Sequence, residues 1–251
     1  VMKKFEGQVV LVTGAGRGIG KTIASAFARE KAHVIINDVC PQDELNKVVD
    51  DLSALGGQSM AIRADVSQSD QVKEMIGQIE KTFHRLDILV NNAGIIRRGT
   101  IETVTEEDWD QVMRVNLKGT FNCCKAVVDI IKRQKRGKII NVSSVAGKMG
   151  DITSAPGYGP SKAAIDAFTK PLARQLAQYG INVNAVAPHA IETEMSAEWS
   201  AEKRQAIIEA IPLKRLGQPQ EVAEAVLFLA SDKANFICCE ILDVNGGFLL
   251  D

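Results

Sequence analysis

Residues 8–20 read Gln8-Val9-Val10-Leu11-Val12-Thr13-Gly14-Ala15-Gly16-Arg17-Gly18-Ile19-Gly20: an apolar β-rich run, a turn dense in glycine, and the opening of a helix. The run is continuous instead of alternating, as expected of a strand whose two faces are both covered by helices. Glycines let the backbone turn tightly and come close to a pyrophosphate. The free N–H groups and dipole of the helix that follows then favour its negative charge. Tight packing alone also selects glycine, so the turn acquires its weight from its position directly after the first strand.

Working outward, the same alternation fills the chain. Gln8–Thr13, His33–Asn37, Gln58–Arg63, Leu86–Asn91, Lys138–Val142, Asn182–Ala187 and Ile241–Val244 read as strands. Ile19–Lys31, Gln42–Leu55, Ser69–Phe83, Glu106–Gln134, Tyr158–Tyr179 and Gln220–Ala230 read as helices. Such alternation gives right-handed crossovers and an α/β, doubly wound parallel sheet of about seven strands with helices on both faces. No linker, repeat or low-complexity stretch interrupts it, so residues 1–251 are expected to form one domain. The excursion from Pro188 to Pro212, carrying Met195, Trp199 and Ile207, breaks the rhythm just after a strand's carboxyl end. Ligands bind at that edge, and long loops in compact domains are usually functional, so 188–212 is read as a substrate lid. A surface helical hairpin is the alternative.

Composition narrows the class. Apolar residues make up 45% of the 251 and charged residues 24%, ordinary for a globular chain. With a net charge of −1 and no Lys/Arg-rich run, neither nucleic acid nor an anionic membrane is an expected partner. Val9–Val12 is far too short for a signal peptide or a membrane span. Cys40, Cys123, Cys124, Cys238 and Cys239 are odd in number and lack C-x-x-C spacing. They argue against a disulfide framework or a metal site and for a reducing cytoplasm, where they act as small buried hydrophobes.

Four positions carry candidate chemistry. Asp38 ends the second strand, where a carboxylate accepts both ribose hydroxyls of an adenosine and repels a 2′-phosphate; a plain turn aspartate beside Pro41 is the other reading. Asp65, after the third strand, either bonds an adenine amino group or caps the next helix. Tyr158 and Lys162 stand four residues apart at the start of a helix and share one face. A free phenol titrates near ~10 and is a poor acid–base group at neutral pH, but a neighbouring ammonium favours the phenolate. The strand before them ends in Asn141-Val142-Ser143-Ser144, which supplies a hydroxyl for a carbonyl oxygen.

With these residues assembled, the chain resembles the short-chain dehydrogenase/reductase family from about Gly7 to Asp251. Thr13–Gly20 matches its T-G-x-x-x-G-x-G turn and Asn91-Asn92-Ala93-Gly94 its N-N-A-G, while Asn116, Ser144, Tyr158 and Lys162 match its catalytic tetrad. The resemblance implies a Rossmann-type fold and an enzyme that interconverts a secondary alcohol and a ketone by hydride transfer. It implies that Tyr158 is the general acid/base, that Ser144 bonds the reacting oxygen, and that Lys162 binds the nicotinamide ribose and lowers the tyrosine pKa. Asn116 would tie Lys162 to a proton-conducting water, and Thr193 would bond the nicotinamide carboxamide. Gly14, Gly16, Arg17, Gly18, Ile19 and Gly20 would cradle the cofactor together with Asp38, Asp65 and Val66. Asn91, Ala93, Gly94, Tyr158, Lys162 and Pro188 complete the implied cofactor contacts, and Ser143 is expected to pack or cap.

Two departures stand out: His189 replaces the glycine that usually follows the proline, and Cys238-Cys239 replaces the usual Thr-Gly. His189, Arg97, Met195 and Trp199 are the candidate substrate contacts. Arg97 and Arg98 follow N-N-A-G in a stretch resembling gluconate-type dehydrogenases, so a sugar acid held by an arginine fork is one substrate reading; solvated surface arginines and a solvent-facing His189 are the plain ones. NAD is expected over NADP because of Asp38, although Arg17 could pair with a 2′-phosphate. The alternatives are a 3-oxoacyl-[acyl-carrier-protein] reductase using NADPH and, from another class, a non-catalytic dinucleotide sensor. The resemblance also implies a homotetramer built on the Glu106–Gln134 and Tyr158–Tyr179 helices.

Overall fold

All seven expected strands form in the computed structural model, which describes residues 4–150 and 154–250. They are β1 (Val9–Thr13), β2 (His33–Asp38), β3 (Ser59–Arg63), β4 (Ile88–Asn91), β5 (Gly137–Val142), β6 (Ile181–Pro188) and β7 (Ile241–Val244). They make one sheet in the order β3-β2-β1-β4-β5-β6-β7, parallel at every pairing. Winding runs outward in opposite directions from β1 and β4. The carboxyl ends of those two strands therefore frame the crevice where open α/β sheets take ligands.

The two-residue period of a strand sorts its side chains onto two helical layers. Val10, Val12, Val34 and Ile36 pack with Ile23 and Phe27 of α1 (Gly18–Arg29), Leu45 and Leu52 of α2 (Gln42–Ser53), and Val222 and Val226 of α10 (Pro219–Ala230). Val9, Leu11 and Ile35 face Met75 and Ile79 of α3 (Ser69–Phe83), Val127 and Ile131 of α5 (Gly119–Gln134), and Leu176 of α7 (Tyr158–Ala177). Each buried Val, Leu or Ile contributes about 1.5–3 kcal/mol relative to exposure, so the sheet carries much of the stability that holds the crevice open.

The expected helix over Glu106–Gln134 is not uniform. It runs as α4 (Glu106–Val112), a π-helical turn (Met113–Lys118) and then α5. The Gly119 N–H reaches back to the Arg114 carbonyl, five residues away, and the Thr120 hydroxyl covers the Asn116 carbonyl at 2.8 Å. One residue too many in that turn swings Asn116, which is fully buried, toward the crevice. Short helices that the apolar pattern does not announce also form: α6 (Ala146–Met149), α8 (Glu194–Ala197) and α9 (Ala201–Ala210). Within 188–212, Ala190, Trp199, Ile207, Ile208 and Ile211 gather with Leu216 and Phe248 into a small apolar cluster of their own. No helix among the described residues is long and apolar enough to cross a membrane.

Candidate active site

The crevice is built first from main chain. Gly14 leaves β1 at φ +62°, and a Cβ there would sit 2.7 Å from the Ala93 Cα, so the glycine turn and the chain after β4 lie back to back. Gly20 lets the first turn of α1 cross the strand: a Cβ on it would meet the Gly14 carbonyl oxygen at 2.1 Å. Asn92 locks this arrangement, donating from Nδ2 to the carbonyls of Thr13 at 3.0 Å and Gly14 at 2.9 Å. The Thr13 hydroxyl accepts from the N–H groups of Asn92 and Ala93, each at 3.1 Å. Thr13 and Asn92 thus hold the turn, a task that their places in the T-G and N-N-A-G strings signal in the sequence.

At the N-cap of α1, Arg17 makes no side-chain cap bond, so the first N–H groups of the helix face the crevice uncapped. Together with the glycine cradle, these donors fit a pyrophosphate. Asp38 is half-buried at the end of β2; its Oδ2 accepts from the Gly16 N–H at 2.9 Å and its Oδ1 from the Val39 N–H at 2.7 Å. The carboxylate is thereby pinned beside the turn, where a ribose would lie. Arg17 and Glu194 of α8, both largely exposed, approach to 3.7 Å and link the glycine turn to the 188–212 stretch.

Not every expected contact presents its side chain. The Asn91 side chain turns into the core, donating to Asn141 Oδ1 at 2.9 Å and Cys124 Sγ at 3.2 Å, so only its main chain borders the crevice. Asp65 accepts from the Ser67 N–H at 2.9 Å in a local turn ahead of α3, whose N-cap is Gln68. Val66 packs under Gly119, with its carbonyl held by Asn122 Nδ2 at 2.9 Å. Ile19 packs against the apolar layer under α1.

The other wall is made of side chains. Lys162, buried one helical turn after Tyr158, donates to the Val142 carbonyl at 2.7 Å and lies 5.7 Å from the centre of the Tyr158 ring. Burial pulls its ammonium down to about 8, partly opposed by the attraction of Asp166. Asn116 Oδ1 accepts from the Ile95 N–H at 2.8 Å, while its Nδ2 donates to the Ile95 carbonyl and the Ser161 hydroxyl, each at 3.0 Å. Ser161, which the sequence reading passes over, donates onward to the Tyr158 carbonyl at 2.7 Å. Asn116 and Lys162 meet over Gly94: a Cβ there would lie 3.4 Å from Asn116 Oδ1 and 3.6 Å from Lys162 Nζ. Ser144 sits between the Pro188 carbonyl at 3.4 Å and the Ala146 N–H at 3.2 Å, at the carboxyl end of β5.

The expected substrate contacts fare unevenly. Arg97 is engaged within the fold, donating to Gln111 Oε1 at 2.6 Å and approaching Asp108 at 3.3 Å. Its fork is therefore taken by α4, and neither the solvated reading nor a free carboxylate clamp describes it. Arg98 is exposed. His189 is half-buried, its ring stacked on Phe248 with centroids 3.8 Å apart, and it lines a cavity of about 80 Å³ with Ile211, Leu213, Asn245 and Gly246. Trp199 packs in the apolar cluster of 188–212, and the side chain of Met195 lies outside the described residues. Thr193 caps α8, its N–H donating to the Ser196 hydroxyl at 2.9 Å. All five cysteines are free; Cys123 and Cys124 are buried, whereas Cys238 is exposed, which corrects the expectation of five buried thiols. It stands in the segment before β7, two residues after the fully exposed Phe236.

Comparison with known proteins gives a consistent picture. A family model described as enoyl-(acyl carrier protein) reductase matches residues 14–249. A 3-oxoacyl-[acyl-carrier-protein] reductase, FabG, of Staphylococcus epidermidis is 43% identical over 240 residues, 96% of this chain and 98% of that protein. A crystal structure of a 3-oxoacyl-[acyl-carrier protein] reductase from Brucella melitensis superposes with a TM-score of 0.94 at 37% identity, covering 99% of this chain and 94% of that one. Another from the same organism, with bound NAD, gives a TM-score of 0.91 at 36% identity and the same coverage.

Proposed function

The chain belongs to the short-chain dehydrogenase/reductase family of NAD(P)-dependent oxidoreductases, and on that premise we propose that it reduces the 3-oxo group of an acyl thioester to a 3-hydroxyacyl thioester. The observation that carries this reading is the near full-length similarity to 3-oxoacyl-[acyl-carrier-protein] reductases, joined to a wall on which Lys162 lies 5.7 Å from the Tyr158 ring. The matching family model is described by reduction of a carbon–carbon double bond. A tyrosine beside an ammonium suits a carbonyl oxygen better, since a carbonyl accumulates negative charge on oxygen as its carbon is reduced. The sugar-acid reading loses its main support, because the guanidinium meant for the carboxylate is held by Gln111 and Asp108.

The dinucleotide supplies the hydride when bound, and this chain's residues do the rest. Ser144 holds the carbonyl oxygen by a hydrogen bond, and Tyr158 gives that oxygen its proton. Lys162, with its ammonium near 8, is mainly charged at neutral pH and favours the phenolate left on Tyr158. Asn116, fixed by Ile95 and Ser161, borders the same space as Lys162 and orients a water that returns the proton. Loss of the Lys162 charge as pH rises through about 8 is expected to lower the reduction rate there.

NADH is the proposed reductant, because the pinned Asp38 carboxylate would stand against a 2′-phosphate; that a related structure holds NAD supports it. The 188–212 stretch is proposed as the lid over the substrate. The assembly is proposed as a homotetramer, supported by the exposed Phe121 on α5, which pairs with Phe168 of α7 at 6.2 Å. A reducing cytoplasm is the proposed compartment, in keeping with the free thiols. The test is a panel of 3-oxoacyl thioesters on a carrier protein and on coenzyme A, with diketones and sugar acids alongside, followed by the near-ultraviolet absorbance of NADH and NADPH. Turnover confined to sugar acids would overturn the thioester reading.

A further inference from the structure

Beneath the reacting face of α7 lies a cluster that the proposed chemistry does not use. Asp166 stands one turn beyond Lys162 on the same face of the helix. Ser143, at the end of β5, places its hydroxyl 3.2 Å from the Lys162 carbonyl and also hydrogen-bonds the Asp166 carboxylate. Lys148 comes from α6 and donates to Asp243 Oδ2 of β7 at 2.7 Å; the two side chains are only 18% and 21% exposed. The titratable groups that meet here are thus Tyr158, Lys162 and Asp166 from α7, Lys148 from α6 and Asp243 from β7.

Two features separate this cluster from a surface ion pair. Among the described residues two lysines and two aspartates meet here, Lys148 and Asp243 as a partly buried ion pair. In addition, Asp166 Oδ1 and Asp243 Oδ1 are both buried without a hydrogen-bond donor among the described residues. An unsatisfied carboxylate oxygen in a half-buried site is costly, and a group kept only for packing would be neutral or fully bonded.

We propose that Asp166 is a positioning residue for the reaction, acting on the Lys162 ammonium from one helical turn away behind Tyr158, at the head of a charge chain completed by the Lys148–Asp243 ion pair. Burial strips water from Lys162, and the Val142 carbonyl bonds only one of its protons. Asp166 opposes the loss of charge from one turn away; burial above all, with the repulsion of Asp243, raises its own carboxyl above the usual carboxylate range, and the Ser143 hydroxyl and the charges of Lys148 and Lys162 pull it back down. Asp243 anchors Lys148 in the chain. Asp166 touches neither substrate nor cofactor and acts through Lys162. The inference rests on the reading of Tyr158 and Lys162 as the reacting pair.

The experiment follows the Lys162 side chain directly, by carbon NMR of protein labelled at lysine Cε, assigned with Lys162→Met. Removing the charge with Asp166→Asn, and separately with the smaller Asp166→Ser, is expected to lower the Lys162 titration midpoint by about one unit or more. Asp166→Glu is expected to restore it. The alkaline limb of kcat for carbonyl reduction is expected to move down by the same interval. An unshifted midpoint in either folded charge-removing variant overturns the proposal, and so does equal loss in the Glu variant. The titration needs no turnover, so the two readings fail separately. A shifted midpoint in an enzyme inactive on every carbonyl keeps the charge chain and discards the function, and turnover with an unshifted midpoint does the reverse.

Discussion

The two walls of the crevice are made of different material. On the β1 side, the wall is main chain: the turn at Gly14–Gly20, the uncapped start of α1 and the peptide groups after β4. On the β5–α7 side, it is a set of side chains held by bonds that reach across the fold, from Asn116 to Ile95 and Ser161, and from Lys162 to Val142. A main-chain site cannot be altered without altering the packing that shapes it, so binding and stability should fall together there. A side-chain site can lose a single proton and keep its shape, so rate and binding should separate.

Tyr158→Phe is the sharpest probe of that separation. It deletes one hydroxyl and leaves the ring, so turnover is expected to drop by roughly two to four decades. Cofactor affinity, read by nucleotide fluorescence, should stay within about twofold of wild type by the same argument, since no binding group is lost. A folded variant with wild-type-like turnover would remove Tyr158 from the chemistry and break the comparison on its strongest side.

Gly20→Ala tests the opposite wall. Its new methyl would collide with the Gly14 carbonyl at 2.1 Å, so the turn or the helix must shift. Overpacking of this kind typically costs about 1–3 kcal/mol, and the loss should show both in thermal unfolding and in NADH affinity. Loss of one without the other would mean that packing and cradle are not the same structure.

Asp38→Ala falls between the two cases, a side chain placed on the main-chain wall. Removing the carboxylate is expected to narrow the preference for NADH over NADPH by roughly tens-fold, judged by kcat/KM with each. A wild-type preference for NADPH that the substitution leaves alone would show that Asp38 serves only to bond Gly16 and Val39.

The smallest effect is expected from a control outside both walls. Arg215 forms a bidentate pair with Glu221 at 2.6 and 2.8 Å, which holds the Glu221 carboxyl down to about 2. A depressed carboxyl stabilises the fold above its ordinary titration range, and the contribution disappears as pH falls through about 2. Both side chains are roughly half exposed and screened by solvent, so Glu221→Gln should cost less than about 1 kcal/mol at neutral pH by urea denaturation. The difference should vanish in strong acid, with no change in turnover at pH 7.

Legibility in the sequence follows the same division. The strands were readable because a fully covered parallel sheet needs continuous apolar runs, and β1, β4 and β5 are buried along their whole length. The glycine turn was readable because only glycine tolerates Gly14's φ and its approach to Ala93. The π-helical turn at Met113–Lys118 was not, because the apolar spacing of 106–134 suits an unbroken helix and the extra residue is absorbed by hydrogen bonds alone. Arg97 and His189 show the same limit. Their positions after a strand were right for a pocket mouth, yet Gln111 and Asp108 hold one and Phe248 stacks on the other.

By itself, then, the sequence determined what depends on neighbours along the chain: strand and helix order, the glycine turn after β1, the helical spacing of Tyr158 and Lys162, and through their order the family. Only the tertiary structure decided which way each polar side chain points and what surrounds it. Asn91 turned inward to Cys124 and Asn141, Asn116 was lifted into the crevice, and Lys162 was buried against Val142 with Lys148 and Asp243 brought in behind its helix from two other elements. The physical reason is range. Backbone conformation and apolar periodicity are set over a few residues, whereas desolvation and charge act between groups that become neighbours only when the sheet has closed.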